Sequence, residues 1–262
     1  MAHRILILGG TGDARILAAR LAHRPDLELI VSLAGRTENP APQPVPVRSG
    51  GFGGVEGLRA YLETGAVALV IDATHPYAAA MSIHAVEACQ AAGVPLLALR
   101  RPPWSPVPGD LWQEVANVAE AVAALGATPR RAFLALGRNE VRAFEAAPQH
   151  HYVVRSVDPI VPPLAVPHAD YLLARGPFTQ ADDRALLAAH GIEMIVAKNS
   201  GGAATYGKIA AARELGITVI LLRRPQLPDV AAVDGPEAAA TWVDGLFPVS
   251  PATAPHGADR GE

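Results

Sequence analysis

Short apolar runs alternate with segments of helical spacing through the first hundred residues of the chain. Apolar runs of five to seven residues predict buried β-strands, and the segments between them predict amphipathic helices. The predicted strands cover residues 4–8, 27–33, 66–71 and 94–99, and the predicted helices cover 13–22, 55–63 and 78–92. Strands that alternate with helices at this spacing imply βαβ units and a parallel sheet.

A proline-rich stretch, RRPPWSPVPGDLW, interrupts this alternation after residue 99. Such a stretch continues neither a helix nor a central strand, so we place a domain boundary there. The alternation then resumes, with predicted strands at 131–136, 152–155, 194–197 and 218–222 and predicted helices at 115–125, 141–146, 180–190, 204–214 and 238–246. We therefore predict an α/β protein with two Rossmann-like domains of mainly parallel sheet, 1–103 and 104–247, and an active-site cleft between them. A disordered tail is predicted at 248–262.

Composition and charge narrow the class of protein. A formal net charge of −3 argues against a nucleic-acid-binding protein. Charges interrupt every apolar run before the roughly 18 residues that a membrane span needs, so we expect no membrane association. The chain enters a strand without a signal sequence, which predicts a cytoplasmic location. A single cysteine, Cys89, excludes an internal disulfide and a thiolate metal cluster, and we expect a monomeric enzyme without a metal.

The first predicted strand runs into a glycine-rich turn, LILGGTGDAR. The glycines let the backbone approach a ligand closely, while the following helix directs free N–H groups at an anion. The glycines of this turn are Gly9, Gly10 and Gly12. The turn lacks the third glycine of the usual dinucleotide fingerprint, so a simple chain reversal is the alternative.

The end of the second predicted strand carries groups suited to a phosphate. Where NAD-binding domains place an acidic residue for the ribose, this chain has Ser32, Arg36 and Thr37. A guanidinium flanked by hydroxyls suits a 2′-phosphate, which favours NADPH over NADH as the cofactor. The alternative is that Arg36 is a solvated loop residue.

Two further loops follow strands at the same edge of the first predicted sheet. In open α/β sheets, ligands lie outside the carboxyl ends of the strands, so these loops are expected to contact nicotinamide and substrate. The candidates are Gly51, Phe52 and Gly53 in RSGGFGG, and Thr74, His75 and Tyr77 in IDATHPYA. Loop packing is the alternative for Phe52, and helix capping is the alternative for His75.

The second half contains a sequence, GAATYGK, with the G-x-x-x-x-G-K spacing of nucleoside-triphosphate-binding loops. An isoleucine follows it where magnesium binding needs Ser or Thr, so we do not favour that interpretation. We favour a strand-to-helix anion site formed by Lys198, Asn199, Ser200 and Gly201. The only lysines of the chain, Lys198 and Lys208, lie in this segment, and an ammonium group suits carboxylates; chance placement is the alternative.

Eight motifs occur in a characteristic order, namely GGTGDA, SLAGRT, SGGFGG, DATHPYA, LGRNE, VRSVDP, ARGPF and KNSGG. In order and spacing they resemble the precorrin-6A reductase family of cobalamin biosynthesis over residues 3–246. The resemblance implies NADPH on the first domain and the tetrapyrrole macrocycle in the cleft between the domains. The implied reaction reduces one C=C bond of precorrin-6A to give precorrin-6B, with hydride from NADPH and a proton added to the neighbouring carbon.

The resemblance also implies roles for the candidate residues. By the resemblance, the pyrophosphate would be held by Gly10, Thr11, Gly12 and Asp13, and the 2′-phosphate by Arg36 and Thr37. The candidates of the two following loops would lie beside the nicotinamide and the ring. The implied ligands of the anionic substrate are Arg138, Lys198, Ser200, Gly201 and Lys208. The candidate proton donors are His75, Tyr77 and Lys198, with a water or a substrate tautomer as the alternatives.

Other functions are weighed against this one. A short-chain dehydrogenase needs Tyr-x-x-x-Lys, and no tyrosine of the chain is followed by lysine at that spacing. A cobalt-precorrin-6A reductase that uses NADH and a non-catalytic NADP-sensing protein stay open as alternatives.

Overall fold

The computed structural model describes residues 2–35 and 37–248, which form two six-stranded sheets with helices packed against them. Every strand pair within these residues is parallel. The predicted α/β class with two Rossmann-like sheets is therefore confirmed. No helix in the described part of the chain is long and apolar enough to cross a membrane. The predicted tail lies almost entirely outside the described residues.

The first sheet is built mostly from the N-terminal half of the chain. Its strands are β1 (His3–Leu8), β2 (Leu27–Leu33), β3 (Val47–Ser49), β4 (Val67–Asp72), β5 (Leu96–Leu99) and β12 (Ala232–Val233). Its helices are α1 (Gly12–Leu21), α2 (Gly54–Thr64), α3 (Ala79–Ala92) and α8 (Pro236–Leu246). The strand order β3-β2-β1-β4-β5-β12 is that of dinucleotide-binding domains, with its switch point between β1 and β4.

The second sheet repeats this arrangement. Its strands are β6 (Trp112–Val115), β7 (Arg131–Ala135), β8 (His151–Ser156), β9 (Ala169–Leu173), β10 (Met194–Lys198) and β11 (Thr218–Leu222). Its helices are α4 (Val118–Ala124), α5 (Arg138–Val141), a 3₁₀ helix (Arg142–Ala146), α6 (Gln180–Ala189) and α7 (Gly207–Leu215). The order β9-β8-β7-β10-β11-β6 places its switch point between β7 and β10.

Each sheet is covered on both faces, which explains the continuous apolar runs of its central strands. In β1, Ile5 and Ile7 join the cluster beneath α1 and α8, whereas Leu6 and Leu8 join the cluster beneath α2 and α3. All four are at most 2% exposed. This alternation follows from the period of two along a strand, and both faces are apolar because both are covered.

The C-terminal segment returns to the first sheet, which differs from the predicted domain limits. Strand β12 pairs with β5, and Val243 of α8 is fully buried among side chains of β1 and α1. Prediction in chain order assigns all of 104–247 to the second domain. A strand of two residues carries no periodicity, so nothing in the sequence signals this return.

Three more strands and two helix limits also differ from the prediction. Strands β3, β6 and β9 were not predicted; each has at most five residues and each is an edge strand of its sheet. The predicted helix 115–125 is the end of β6 followed by α4, and the predicted helix 204–214 begins only at Gly207. Edge strands lack the apolar runs of central strands, which is why pattern alone misses them.

Candidate active site

The carboxyl ends of the two sheets meet through the loop that follows β4. The Tyr77 hydroxyl accepts a hydrogen bond from the Asn199 backbone N–H at 2.8 Å and donates to the carbonyl of Leu222, so a residue of the first half is seated on β10 and β11. His75 Nε2 lies 3.2 Å from Ser200 Oγ. The loops at the two switch points therefore share one site, as expected for ligands of open α/β sheets.

The glycine-rich turn after β1 opens α1 and leaves space beside it. Thr11 caps the helix, because its hydroxyl accepts from the Ala14 N–H at 3.1 Å and donates to the Ala73 carbonyl at 2.8 Å. A Cβ on Gly10 or Gly12 would meet no atom within 4 Å, and Gly10 has a φ of +105°. The turn is thus held by Thr11 and open toward solvent at two glycines, as a phosphate cradle requires.

Asp13 is committed to an ion pair. Arg101, in the proline-rich connection, donates from one Nη to Asp13 Oδ2 at 2.5 Å and from Nε to the Ser200 carbonyl at 2.7 Å. The guanidinium thereby neutralises a carboxylate in the first turn of α1, where it would oppose a bound phosphate. Sequence reasoning missed Arg101, since a proline-rich stretch without periodicity gives no site signal.

Of the groups predicted for the 2′-phosphate, Ser32 lies at the carboxyl end of β2. Ser32 accepts from an Nη of Arg48 at 3.2 Å. Arg36 lies outside the described residues. Thr37 is half-buried and precedes Glu38, whose N–H donates to Asp158 of the second half at 3.4 Å.

The loop RSGGFGG is organised around the Arg48 side chain. Its guanidinium stacks on Phe52, with Cζ 3.7 Å from the ring centroid, and Phe52 packs against Tyr61 of α2. This contact supports the alternative of loop packing for Phe52. Gly53 ends the loop with a φ of +84° as the N-cap of α2, and Gly51 supplies a carbonyl to Arg48.

The loop after β4 also has internal bonds that define it. Thr74 donates its hydroxyl proton to Asp72 Oδ1 at 2.6 Å, and the Tyr77 N–H donates to His75 Nδ1 at 3.3 Å. Burial, reinforced by the positive charges of Arg101 and Lys198, lowers the pKa of His75 to about 3. The imidazole is therefore neutral in the physiological range.

Tyr77 is held as a structural contact rather than as an acid. Burial raises the pKa of its phenol to about 12, and the hydroxyl already makes one accepted and one donated bond. Its ring lies 5.1 Å from Lys198 Nζ. This geometry disfavours Tyr77 as a proton donor.

Lys198 lies at the second switch point. Its ammonium forms a 2.6 Å ion pair with Glu140 of α5, which follows β7, so the pair joins the two central strands of the second sheet. Arg138, at the start of α5, has an Nη 3.9 Å from a carboxylate oxygen of Glu38. The residues that follow β7 and β10 are thus brought together. Glu140 belongs to this site; it lies in the motif LGRNE, but prediction from the sequence did not single it out.

Arg224 fixes the turn after β10. Following β11, it donates to the carbonyls of Asn199 at 2.8 Å, Ser200 at 3.0 Å and Arg101 at 2.7 Å. Gly201 has a φ of +68°, and a Cβ there would lie 2.2 Å from the Pro102 carbonyl oxygen. Close packing against the connection therefore accounts for the glycine at 201.

Lys208 is buried, which disfavours its predicted role as a substrate ligand. It is 4% exposed, and its Nζ donates to the Thr205 carbonyl at 2.6 Å and lies 5.0 Å from the Trp104 ring. Burial lowers the pKa of Lys208 to about 7. Because α7 begins at Gly207, a side chain at its second position points back along the helix into the protein.

A cavity of about 760 Å³ opens between α1 and α7, next to Asp13 and Arg101. Its walls include the aromatic rings of Trp104, Phe178 and Tyr206. Such a cavity has the size and the mainly apolar lining of a site for a large organic ligand. Across the described ranges, no group of three or more His, Cys, Asp or Glu side chains is placed to hold a metal ion.

The fold is that of a Rossmann-like protein with two sheets. Its site combines a glycine-rich turn of the kind that binds dinucleotides with the end of a strand that carries a basic residue, Lys198. More specifically, the chain belongs to the precorrin-6x reductase family, because the family model "Precorrin-6x reductase CbiJ/CobK" matches residues 4–244. The resemblance predicted from the motifs is thereby confirmed.

Individual relatives agree with this assignment. The chain is 57% identical over 230 residues to a precorrin-6A reductase of Sinorhizobium sp., with 88% of each chain covered. It is 46% identical over 245 residues to that of Rhodococcus erythropolis, covering 93% of this chain and 98% of the relative. A solved structure, "CobK precorrin-6A reductase", superposes with a TM-score of 0.90 at 48% identity over 94% of this chain and 97% of the other.

Proposed function

We propose that the chain is a precorrin-6A reductase that uses NADPH. The reaction adds a hydride to one carbon of a C=C bond of the macrocycle and a proton to its neighbour, so that precorrin-6A, NADPH and a proton give precorrin-6B and NADP⁺. The observation that carries this proposal is the contact between His75 and Ser200, which brings the switch points of the two sheets together. The edge of the first sheet suited to a dinucleotide therefore lies beside the edge of the second sheet that carries basic side chains.

The residues of the first switch point fit a dinucleotide. Gly10 and Gly12 leave open space at the N-terminus of α1, and Thr11 fixes the turn without filling that space. The backbone N–H groups of Gly10, Thr11, Gly12 and Asp13 would hold the pyrophosphate, with Arg101 offsetting the negative charge of the Asp13 side chain. Hydride supply is the chemistry that NADPH contributes there when bound.

The second half offers what an anionic ring needs. Lys198 and Arg138 provide cations beside the strand ends, and Ser200 provides a hydroxyl. The aromatic cavity between α1 and α7 would receive an apolar face of the macrocycle. Both cations already contact carboxylates, so we expect carboxylates of the substrate to replace or share Glu140 and Glu38.

We assign the proton donor to Lys198. His75 is neutral and Tyr77 is engaged on both sides of its hydroxyl, whereas the Lys198 ammonium lies at the strand end with one carboxylate partner. Lys198 would donate a proton to the substrate carbon and regain one through Glu140. Most of the rate would still come from holding the hydride donor and acceptor in register.

The decisive experiment is anaerobic incubation of the protein with precorrin-6A and either NADPH or NADH, following nucleotide absorbance and product mass. A gain of two hydrogens with NADPH supports the full proposal. A gain with NADH alone retains the reductase and overturns the cofactor preference. NADPH binding without turnover, on either precorrin-6A or its cobalt form, favours a sensing protein.

A cobalt-containing substrate is the second candidate. Cobalt-precorrin-6A reductases, such as that of Priestia megaterium at 27% identity, are related to this chain but more distantly than the precorrin-6A reductases are. Competition between metal-free and cobalt-loaded substrate in one assay decides between them, and we expect the metal-free form to be consumed faster. Sedimentation of the protein alone tests the expected monomer.

A further inference from the structure

Arg48 lies at the end of the first sheet where a Rossmann-like domain places the adenosine half of its cofactor. It is paired in register with Ser32 across β2 and β3, and its side chain bonds to the Ser32 hydroxyl at 3.2 Å. The guanidinium also donates to the carbonyls of Gly50 at 2.6 Å and Gly51 at 2.7 Å. An arginine held here stands at the position from which the ribose and its substituents are recognised.

The orientation of the guanidinium is fixed by an aromatic ring. Cζ of Arg48 lies 3.7 Å from the centroid of Phe52 and 5.5 Å from that of Tyr61. One face of the planar group is therefore covered by Phe52. A planar cation of this kind can also stack on a second flat ring, such as a purine.

Part of the hydrogen-bonding capacity of Arg48 is unused within residues 2–35 and 37–248. Three of its five N–H groups go to Ser32, Gly50 and Gly51. Nε–H and one Nη2–H have no partner among the described residues. A guanidinium with free N–H groups, held against an aromatic ring, suits a phosphate monoester next to an adenine.

We propose that Arg48 is a specificity-determining residue of the cofactor site and contacts the 2′-phosphate and the adenine of NADPH. This inference rests on the proposed function and deepens it. It adds a cation on β3 to the residues after β2 that the sequence had pointed to. Prediction from strand ends overlooked Arg48, because β3 is an edge strand of three residues.

The test compares the protein with two variants, Arg48→Gln and Arg48→Lys. The probes are adenosine 2′,5′-bisphosphate, 5′-AMP, NADPH and NADH, with binding followed by calorimetry and by nucleotide fluorescence. Arg59→Gln is the matched control, because Arg59 is an arginine on the surface of α2 paired with Glu63 at 2.8 Å. Melting temperatures of all variants establish that each is folded.

We expect Arg48→Gln to weaken the binding of adenosine 2′,5′-bisphosphate and NADPH about tenfold or more, and the binding of 5′-AMP and NADH by less than about threefold. Arg48→Lys should lie between, since it keeps the charge and loses the planar fork. Equal weakening of phosphorylated and unphosphorylated probes would assign Arg48 to loop structure alone and overturn the inference. If that equal loss accompanies normal NADPH turnover by the unaltered protein, the proposed function still stands.

A different result separates the two proposals in the other direction. If the unaltered protein binds adenosine 2′,5′-bisphosphate no better than 5′-AMP, there is no 2′-phosphate site. The role of Arg48 and the NADPH preference then fail together, while turnover with NADH retains the reductase.

Discussion

His75 Nε2 and Ser200 Oγ lie 3.2 Å apart although 125 residues separate them in the chain. Nδ1 of His75 accepts the N–H of Tyr77, so in the neutral ring the proton sits on Nε2 and is donated to Ser200. The Ser200 hydroxyl proton is then free to point toward a ligand. The contact thus orients a donor at the junction of the two sheets without placing a charge there.

Substitution of His75 tests this assignment through the pH profile. A ring whose pKa is near 3 does not titrate between pH 5 and pH 9, so we expect no inflection from His75 in kcat over that range. His75→Gln, which keeps an N–H donor, should lower kcat by only a few-fold with an unchanged profile, whereas His75→Leu should lower kcat about tenfold or more. An inflection near pH 6.5 that disappears in His75→Gln would contradict a neutral role.

The ion pair between Asp13 and Arg101 should affect the affinity of the protein for NADPH. Arg101→Gln leaves the Asp13 carboxylate uncompensated beside the pyrophosphate site, and we expect NADPH to bind about tenfold more weakly. Removing the opposing charge as well, in the pair Asp13→Asn with Arg101→Gln, should restore part of that loss. The double-mutant cycle in NADPH dissociation constants measures this coupling.

The control for this cycle is Arg213→Gln. Arg213 also pairs with an aspartate, Asp110 at 2.9 Å, but that pair does not involve the glycine-rich turn. We expect NADPH binding by this control to stay within about twofold of the unaltered protein. Independent, additive effects of the Asp13 and Arg101 substitutions would show that the pair does not act on the cofactor.

The sequence predicted the central strands and the switch-point loops well, for a physical reason. Strands buried on both faces must be continuous apolar runs, and parallel strands place the loops after β1 and β4 at one edge of the first sheet and the loops after β7 and β10 at one edge of the second. Predicting the closeness of His75 and Ser200 would have needed one further fact, namely that the carboxyl ends of the two sheets meet. That arrangement is set by tertiary packing.

What the sequence could not provide was the pairing of individual polar groups. Arg101 and Arg48 look like ordinary arginines until the fold brings Asp13 and Phe52 to them. Lys208 is the reverse case: motif-like spacing and the rarity of lysine suggest a ligand, whereas the start of α7 directs the side chain inward. Pattern identifies which loops meet, and packing decides which side chains in them are free.

Substitutions at two glycines, Gly12 and Gly201, should affect cofactor binding and stability differently. Gly12 opens α1 with free space at its Cβ position, so Gly12→Ala should leave the melting temperature unchanged or slightly raised, since alanine is the better helix former. The added methyl group would occupy the space beside the glycine-rich turn and weaken the binding of NADPH about tenfold. Normal NADPH binding by Gly12→Ala would show that the turn does not hold the pyrophosphate.

Gly201→Ala is the matched opposite. Its Cβ would lie 2.2 Å from the Pro102 carbonyl oxygen at a φ of +68°, so both strain and overlap oppose it. We expect a loss of about 3 kcal/mol or more in the free energy of unfolding, measured by urea denaturation. A variant as stable as the unaltered protein would mean that the turn after β10 is not packed against the connection.

Lys208→Met should stabilise the protein most near neutral pH. The folded pKa of about 7 lies below the ordinary 10.5, so between these values the unfolded chain binds more protons and stability rises with pH. Lys208 therefore costs stability at pH 7, and this cost fades toward pH 10. We expect Lys208→Met to raise the free energy of unfolding on the order of 1–3 kcal/mol at pH 7 and by less at pH 10.

Activity of the same variant checks where Lys208 points. A buried side chain that bonds to Thr205 has no access to substrate carboxylates, so KM for the tetrapyrrole should stay within about twofold of that of the unaltered protein. Lys198→Met is the contrasting variant, because its ammonium lies at the strand end, and it should raise KM, lower kcat, or both. A several-fold rise in KM for Lys208→Met at unchanged stability would show that Lys208 is a substrate ligand after all.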